Sequence, residues 1–411
     1  MAIAGVVTNW LPGRHSRIIG PQQPPVLETR IRAQWCDAMP DDDNSPISAQ
    51  DARRLFADFR SAPALVIAVS GGPDSVALMW LLARWRKALA HGPRLVAVTV
   101  DHGLRPEAAA EAREVKRLAK ALALDHRTKR WTGEKPRHGV PAAAREVRYG
   151  LLAEAARGVG ATHILTAHTR DDQAETLVMR LLRGSGIAGL SAMARVTERH
   201  GLSLARPLLD VAKSQLTATL KRAKIGFVDD PTNRDMAFTR PRLRTLLPKL
   251  AAEGGDARVL ARLAARLARV NAAVDLFADG AERYLALKHG TAPVRDGRVF
   301  DAEAFAALPD EIRLRLLLRA INRFGHEGPA ELGKVESLLA VLDDALRGSS
   351  AGRGTRPIPA RFKQTLAGAL ISIDKGQIRI APAPARRRSQ RSDEPALNDK
   401  KRSFATAQAN R

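Results

Sequence analysis

The sequence predicts an α/β protein built on a parallel sheet, followed by a smaller C-terminal module. From residue 62 to about 230, short apolar runs alternate with longer helical stretches, as in a parallel sheet with crossover helices. The run ALVIAVS at 64–70 is continuously apolar, which is typical of a strand covered on both faces. After residue 251 a long helical pattern begins that contains no strand, and it indicates a change of architecture.

Each element of the α/β region is predicted from its own pattern. The amphipathic segment SAQDARRLFADF, at 48–59, predicts a short opening helix. The following elements are a strand at 64–70, a helix at 75–90, a strand at 94–102, helices at 106–123 and 142–158, a strand at 162–168 and a helix at 171–184.

The C-terminal part is predicted to contain a helical connector and a small α+β domain. One helical pattern covers 256–287, two helices follow near 309–324 and 330–346, and a hairpin covers 369–381 with its turn at Asp374–Gly376. The predicted organisation is a poorly ordered extension at 1–50, a main domain at 51–250, a helical connector at 251–290, a small domain at 291–381 and a disordered basic tail at 382–411.

The charge of the chain favours a polyanionic partner. The net charge is +24; residues 1–50 contribute −1 and residues 382–411 contribute +5, which leaves +20 on the body. A folded body this basic is typical of proteins that bind nucleic acid. A high arginine content with a solvated basic surface would give the same number.

Cysteine content and hydropathy exclude several classes of protein. The single cysteine, Cys36, excludes an intrachain disulfide scaffold and a cysteine-rich zinc site. No run approaches the ~20 apolar residues of a membrane-spanning helix. The N-terminus has no basic segment before its short apolar run, unlike a signal peptide. We therefore expect a cytoplasmic protein with no membrane partner.

The stretch SGGPDS joins the first predicted strand to a helix and is a candidate phosphate-binding loop. Such junctions lie at the carboxyl edge of a parallel sheet, and unpaired N–H groups at the start of a helix bind phosphate without a lysine. An acid in the loop would repel an anion unless a metal bridges them, and the same residues also suit an ordinary turn and helix cap. The candidate residues are Ser70, Gly71, Gly72, Pro73, Asp74 and Ser75.

A second loop, AHTRDDQAET at 167–176, follows another predicted strand and reaches the same edge. It contains His168, Asp171, Asp172 and Glu175. Asp172 and Glu175 are three residues apart and share one helical face. Acids are favoured at any helix N-terminus. Three acids and a histidine beside a phosphate loop are also suited to hold Mg²⁺ or a cationic substrate.

Three further stretches supply candidate ligand-binding residues. They are VDHGLRP at 100–106, AAAREVRY at 142–149 and TRPRLR at 239–244, with the candidates Asp101, His102, Arg145, Arg240, Arg242 and Arg244. The alternate arginines suit a surface that grips a phosphate backbone. The G-x-G-x-x-G pattern at 184–189 follows a helix rather than a strand, so it is not predicted to bind a dinucleotide.

In this order, these stretches resemble the tRNA(Ile)-lysidine synthases, a branch of the PP-loop (N-type) ATP pyrophosphatase superfamily. The resemblance rests on SGGPDSVAL, VDHGLRP, AAAREVRY, LTAHTRDDQAETLVMRLLRGSGIAGLSAM and DPTNRDMAFTRPRLR, which span about 64–250. The run DDQAET…RLLRGSG…GL is much more specific than SGGPDS. Two positions depart from the family pattern: Thr169, where many relatives have His, and Pro241, where many have Asn.

The resemblance implies a PP-loop ATPase domain at 51–250, a small tRNA-binding domain at 291–381 and a ligation reaction. ATP adenylates the carbon-2 oxygen of the wobble cytidine in a CAU-anticodon tRNA(Ile), and the ε-amine of L-lysine then displaces AMP. ATP and Mg²⁺ are the implied cofactors, and a homodimer is left open. Asp74, Asp172 and Glu175 are placed at the reaction centre, Asp74 and Asp172 as Mg²⁺ ligands, with His168 and Arg145 close by.

Two alternatives stay open. One is another PP-loop enzyme, either a tRNA thiolase or an amide-forming synthetase. Thiolases of the superfamily generally need cysteines, and Cys36 lies in the predicted extension; no nucleophilic cysteine near a terminus supports a glutaminase. The other is a basic RNA-binding protein without catalysis, in which the acid cluster would have no purpose, since acids repel RNA.

Overall fold

The computed structural model describes residues 43–103, 107–136, 138–228, 235–236, 238–288, 297–350 and 362–384. It divides the chain into two compact units between Val270 and Asn271. The division lies inside the helix that the sequence predicted as a connector. Each unit has its own core, and Cys36 lies outside the described residues.

The first unit contains a six-stranded, mostly parallel sheet, as predicted. Its strands are β1 (Ala64–Ala68), β2 (Arg94–Asp101), β3 (Asp125–Arg130), β4 (His163–Leu165), β5 (Val196–Arg199) and β6 (Leu202–Ala205). The order is β3-β2-β1-β4-β6-β5, and β5 alone pairs antiparallel. Only β1, β2 and β4 were predicted. The sequence of β3, DHRTKR, is polar because it forms an edge, and β5 and β6 are short.

The helices up to residue 288 include those that the sequence predicted, with three additions. They are α1 (Ala49–Leu55), α2 (Pro73–Lys87), α3 (Ala108–Ala121), α4 (Val140–Arg157), α5 (Arg170–Leu181), α6 (Ile187–Leu190), α7 (Lys213–Ala223), α8 (Thr239–Ala252) and α9 (Ala257–Lys288). The sequence did not predict α6, α7 and α8. The glycine pattern at 184–189 follows α5, a helix, as expected.

Strand β1 shows why a continuous apolar run was required at the centre of the sheet. Leu65 and Ile67 pack in a core with α2 and α7, whereas Ala64 and Val66 pack in a second core with α4. All four side chains are at most 2% exposed. Successive strand residues point to opposite faces, so both faces of β1 are buried.

Residues 43–48, which fall inside the predicted extension, make contacts with the first unit. Ile47 is buried, and its N–H donates to the Thr219 hydroxyl at 2.8 Å. Ser48 caps α1 in a capping box with Asp51. Asp43 forms ion pairs with Arg170 and Arg258.

The second unit is a small α+β module. It contains the C-terminal part of α9, then β7 (Arg298–Asp301), α10 (Ala302–Ala306), α11 (Asp310–Phe324), α12 (Leu332–Ser350), β8 (Phe362–Leu366), β9 (Ala369–Asp374) and β10 (Gln377–Pro382). The sheet is antiparallel in the order β7-β10-β9-β8, so the predicted hairpin is confirmed as β9 and β10. Within the described ranges, no helix is long and apolar enough to cross a bilayer.

The direction of the strands positions the candidate site. Strands β1, β2, β4 and β6 run parallel, so their carboxyl ends meet at one edge of the sheet. The segments that leave these ends are Ser70–Ser75, His102–Gly103, Thr166–Thr169 and the residues after Ala205. Ligands of open α/β sheets bind in the crevice at this edge.

Candidate active site

The loop Ser70–Ser75 leaves the N-terminus of α2 uncapped. The cap residue is Gly72, which has no side chain, and the first helical residue is Pro73, which has no N–H. Ser75 braces the loop: its hydroxyl donates to the Gly72 carbonyl at 3.0 Å and accepts from the Ser70 N–H at 3.1 Å. The N–H groups that follow Pro73 have no side-chain acceptor at the cap, so this helix end is suited to bind an anion.

Gly71 sets the course of this loop. Its φ is +92°, in the region that favours glycine. Its carbonyl accepts the Val228 N–H at 3.0 Å, which ties the loop to the chain that follows α7. A side chain at position 71 would therefore strain the loop.

Asp74 lies at the start of α2 and is half-buried. Burial raises the pKa of Asp74 to about 6; the charge of Lys213 opposes the rise, and Asp172 reinforces it. In the part of the chain that the structure describes, no donor is within hydrogen-bonding distance of the Asp74 carboxylate. This carboxylate is therefore available to a cation.

The start of α5 is closed by its own side chains. The Thr169 hydroxyl accepts the Asp172 N–H at 3.3 Å, and Asp172 Oδ2 accepts from the Thr169 N–H and hydroxyl at 2.9 and 3.0 Å. Asp172 Oδ1 accepts from Lys213 Nζ at 2.9 Å. Burial alone would raise the pKa of Asp172, but the charge and hydrogen bond of Lys213 and the Thr169 N–H hold it below its usual value.

Glu175 lies one turn further along α5 and is 2% exposed. Its Oε1 accepts from Arg244 Nε at 2.7 Å and lies 3.7 Å from Lys213 Nζ. Its Oε2 has no hydrogen-bond partner among the described residues and lies 3.9 Å from Arg240 Nε. A buried carboxylate oxygen without a donor is costly, so this position calls for a donor from a ligand.

Lys213 is the central cation of the site, and the sequence did not predict it. It is the first residue of α7, and its N–H donates to Asp171 Oδ2 at 2.9 Å. Burial lowers the pKa of Lys213, but Asp172, Glu175 and Asp74 together hold it above its usual value. A lone lysine in a polar stretch is normally solvated. The available signal was a cation at a helix N-terminus, where the dipole disfavours it.

His168 lies beside Asp172 in a group of arginines. Its Nδ1 shares a hydrogen bond with the Thr166 hydroxyl at 2.9 Å. Burial, with the charges of Arg206, Arg148 and Arg145, lowers the pKa of His168 to about 3 against the opposing effect of Asp172. The imidazole is therefore neutral at pH 7.

The group of arginines surrounds the ring of Tyr149, which is 1% exposed. The guanidinium groups of Arg145, Arg148 and Arg199 lie 5.2, 5.1 and 4.3 Å from the ring centroid. Arg206 is buried, and burial with Arg145 and Arg199 lowers its pKa despite Tyr149. Of these residues the sequence singled out Arg145 and Arg148, near the start of one predicted helix, but cation–π packing on a single tyrosine is not visible in a sequence pattern.

Asp101 and His102 lie at the end of β2. Asp101 is buried; its Oδ1 accepts the Gly103 N–H at 2.8 Å, and Oδ2 lies 3.5 Å from Arg130 Nε. Asp101 thus shapes the turn. His102 packs edge-on against Trp131 with centroids 6.2 Å apart, and burial and the charge of Arg148 lower its pKa. Residues 104–106 of this stretch lie outside the described residues.

The three predicted arginines of α8 have different surroundings. Arg240 and Arg244 are four residues apart, share one helical face and approach Glu175. Arg242 points elsewhere and donates to the Met236 carbonyl at 3.0 Å. Arginines at alternate positions of the sequence therefore point in two different directions on the helix. Residues 229–234 lie outside the described residues.

The described residues do not form a complete metal site by themselves. Over the ranges that the structure covers, no three His, Cys, Asp or Glu side chains converge closely enough to hold an ion. Asp74, with its free carboxylate, offers one ligand. This composition fits Mg²⁺, which keeps waters and takes substrate phosphates as ligands beside one or two carboxylates.

Comparisons with known proteins found a matching family model and similar proteins. Residues 44–250 match the family model described as "PP-loop domain". A tRNA(Ile)-lysidine synthase of Bradyrhizobium diazoefficiens is 70% identical over 358 residues, covering 85% of this chain and 98% of that protein. One of Rhodopseudomonas palustris is 62% identical over 346 residues, covering 84% and 98%. One of Methylobacterium nodulans is 47% identical over 329 residues, covering 80% and 92%.

Proposed function

The chain belongs to the tRNA(Ile)-lysidine synthase family, and we propose that it joins L-lysine to carbon 2 of the wobble cytidine of a CAU-anticodon tRNA(Ile), using ATP. The observation that carries the proposal is that one edge of the sheet presents two sites, one suited to an anion and the other to a cation. An uncapped helix start suits phosphates, and a buried carboxylate oxygen without a donor suits an ammonium group. Both are needed when a nucleotide is activated and an amine then attacks it.

The uncapped start of α2 supports binding of the ATP phosphates. In the first step the carbon-2 oxygen of the cytosine attacks the α-phosphorus of ATP, and the bond to pyrophosphate breaks. The N–H groups that follow Pro73 would hold the leaving pyrophosphate, as a helix N-terminus holds an anion. A lysine is unnecessary there, because no γ-phosphoryl group is transferred.

Asp74 is the carboxylate best suited to hold Mg²⁺ beside these phosphates. It accepts no hydrogen bond from the described residues, whereas both oxygens of Asp172 already have donors. Bound Mg²⁺ would neutralise phosphate charge as it develops in the transition state. Burial raises the pKa of Asp74 to about 6, and a carboxylate whose charge is disfavoured by burial gains from a bound cation.

Glu175 is the residue best suited to receive the ε-ammonium of the substrate lysine. Its Oε2 is buried and has no donor in the described chain, whereas Arg244 and Lys213 approach Oε1. A free ε-ammonium has a pKa of about 10.4, so the amine must lose a proton before it attacks. In the second step the proton passes to Glu175, the nitrogen bonds to carbon 2, and the bond from carbon 2 to the AMP oxygen breaks.

Neutral His168 and the arginines near Tyr149 support binding of the tRNA at this site. A neutral imidazole can hydrogen-bond a base edge, and guanidinium groups hold phosphates. Arg145 belongs to this group. The +20 charge of the body supplies a sequence-independent grip on RNA.

A direct test measures transfer of radiolabelled lysine to RNA. Purified protein is incubated with ATP, Mg²⁺, labelled lysine and a tRNA(Ile) transcript with a CAU anticodon, beside a matched transcript whose wobble base is U. We expect label only in the CAU transcript and only with ATP. Protein that binds ATP but labels neither transcript would contradict the proposal.

The thiolase alternative is tested with the same transcripts. A thiolase would put sulfur into the RNA and would lose activity in a Cys36→Ser variant. We expect C36S to retain lysine transfer in full, because no step of the proposed reaction uses a thiol.

A further inference from the structure

Lys213 lies where an ammonium group is best paired in this site. Its Nζ is 2.9 Å from Asp172 Oδ1 and 3.7 Å from Glu175 Oε1. These are two of the three acids that the family resemblance placed at the reaction centre, and a substrate ammonium would have the same chemical preference. Lys213 thus occupies the position between the carboxylates of Asp172 and Glu175.

Hydrogen bonds hold the main chain around Lys213. The backbone therefore helps to position its ammonium group, in addition to the carboxylates that the ammonium contacts. The Lys213 N–H donates to Asp171 Oδ2 at 2.9 Å, and the Val211 carbonyl accepts the Arg170 N–H at 2.9 Å. The starts of α5 and α7 are therefore linked at two places. A cation at a helix N-terminus opposes the helix dipole, and residues that break a local rule are expected at functional sites.

Lys213 also determines which carboxylate oxygen remains open. Both oxygens of Asp172 have donors, and Oε1 of Glu175 is shared by Arg244 and Lys213. Of the oxygens on these two acids, Glu175 Oε2 is the one without a hydrogen-bond donor in the described chain, although Arg240 Nε lies 3.9 Å from it. The carboxylates whose charge acts on the ammonium of Lys213 are Asp172 and Glu175 on α5 and Asp74 on α2. Asp171 accepts the main-chain N–H of Lys213, and Arg240 and Arg244 on α8 pair with Glu175.

We propose that Lys213 is a positioning residue for lysine transfer: it blocks the pocket between Asp172 and Glu175, so that the substrate ammonium binds at Glu175 Oε2. The inference rests on the proposed function. Lys213 forms no bond to the reacting atoms. Without it, the substrate ammonium would settle against Asp172, where the amine is held away from the activated cytidine.

The test separates lysine binding from lysine transfer. In Lys213→Met, the vacated carboxylates should bind the substrate ammonium more tightly, so the KM for lysine should fall about tenfold, as for a charged hydrogen bond. The misplaced amine should lower kcat for transfer by about 10²-fold. Release of pyrophosphate should fall less than transfer does. Lys213→Arg, which keeps a cation beside Asp172, should recover most of kcat.

Two controls keep the outcome interpretable. Lys221→Met removes an exposed lysine from the same helix, α7, and should change neither constant. If K213M does not fold, because Asp172 is left buried and unpaired, the double variant D172N/K213M is compared with D172N. The amide at position 172 does not retain an ammonium, so adding K213M should no longer lower the KM.

The two hypotheses fail in different ways. If the wild-type protein does not attach lysine to the CAU transcript, the proposed function is wrong. If the wild type is active and K213M has an unchanged or higher KM for lysine, the positioning role is wrong. Equal losses of pyrophosphate release and lysine transfer in K213M, without recovery in K213R, would also contradict it.

Discussion

The helices α2 and α5 begin at the same edge of the sheet, but the N-terminus of α2 has no side-chain cap, whereas that of α5 is capped. The cap of α2 is Gly72, followed by Pro73, and no side chain bonds to its N–H groups. The cap of α5 is Thr169, which forms a capping box with Asp172. A helix whose end is capped by its own acid has little left to offer an anion. The difference indicates that α2 faces phosphates, whereas α5 presents carboxylates to cations.

Asp74→Asn removes the acid at the open helix start and should have the largest effect. Loss of the Mg²⁺ ligand should reduce pyrophosphate release, and lysine transfer with it, by on the order of 10³-fold. Quenched-flow measurement of pyrophosphate checks this. Affinity for tRNA, measured by filter binding, should stay close to wild type; a parallel loss of tRNA binding would contradict the assignment.

Glu175→Gln changes the capped helix, α5, and should mainly slow the second step, the transfer of lysine. Lysine transfer should fall about 10²-fold, because the amine loses its base. Pyrophosphate release should be affected much less. Glu146→Gln is the matched control, since Glu146 is exposed and pairs with Arg199 and His200 outside the acid cluster. An equal effect in both variants would contradict the role of Glu175.

Gly71→Ala tests the backbone of the open loop. Because φ at Gly71 is +92°, alanine should cost about 1–3 kcal/mol in the free energy of unfolding. Gly72→Ala is the control: φ there is −71°, and the new Cβ would meet Ser70 Oγ at an ordinary 3.8 Å. Urea denaturation of both variants gives the comparison, and equal midpoints would argue against strain at position 71.

Thr169→Ala tests the closed helix. Loss of the capping hydroxyl should reduce the free energy of unfolding by about 1 kcal/mol. Thr169→Ser keeps the hydroxyl and should restore nearly all of it. If both variants unfold at the same urea concentration, the capping box is not what stabilises α5.

The last prediction concerns pH and the ligand-free protein. The pKa of Asp74 is about 6 in the folded protein, above the 3.8 of an ordinary aspartate side chain. A raised pKa means that the folded chain holds the proton more tightly. This contribution to stability is present below about pH 4 and lost as pH rises through 6. Asp74→Asn should therefore stabilise the ligand-free protein at pH 7.5 but not at pH 4, as measured by thermal unfolding without Mg²⁺ or ATP.

The sequence predicted the parts of this site that follow a local pattern. Ser70–Ser75 and the acids of α5 each follow a predicted strand, so their meeting at one sheet edge follows from parallel topology. The polar strand β3 was missed, because an edge strand has no buried face to make it apolar. The separate directions of Arg240 and Arg242 were missed, because the stretch was not recognised as a helix.

Lys213 shows the limit of prediction most clearly. It is 38 residues from Glu175 in the chain and lies in a stretch with no motif. Its partners are set by the docking of α7 on α5, which is a tertiary contact. The departure at Thr169 became interpretable only with the structure, where the threonine hydroxyl caps α5.

The separate roles of the N-termini of α2 and α5 are tested most directly by measuring pyrophosphate release and lysine attachment in the same reactions. Pyrophosphate release and lysine attachment are followed with the CAU tRNA(Ile) transcript in the wild type, D74N and E175Q. We expect D74N to lose both steps, and E175Q to release pyrophosphate while attaching almost no lysine. Proportional losses of the two steps in both variants would contradict the account.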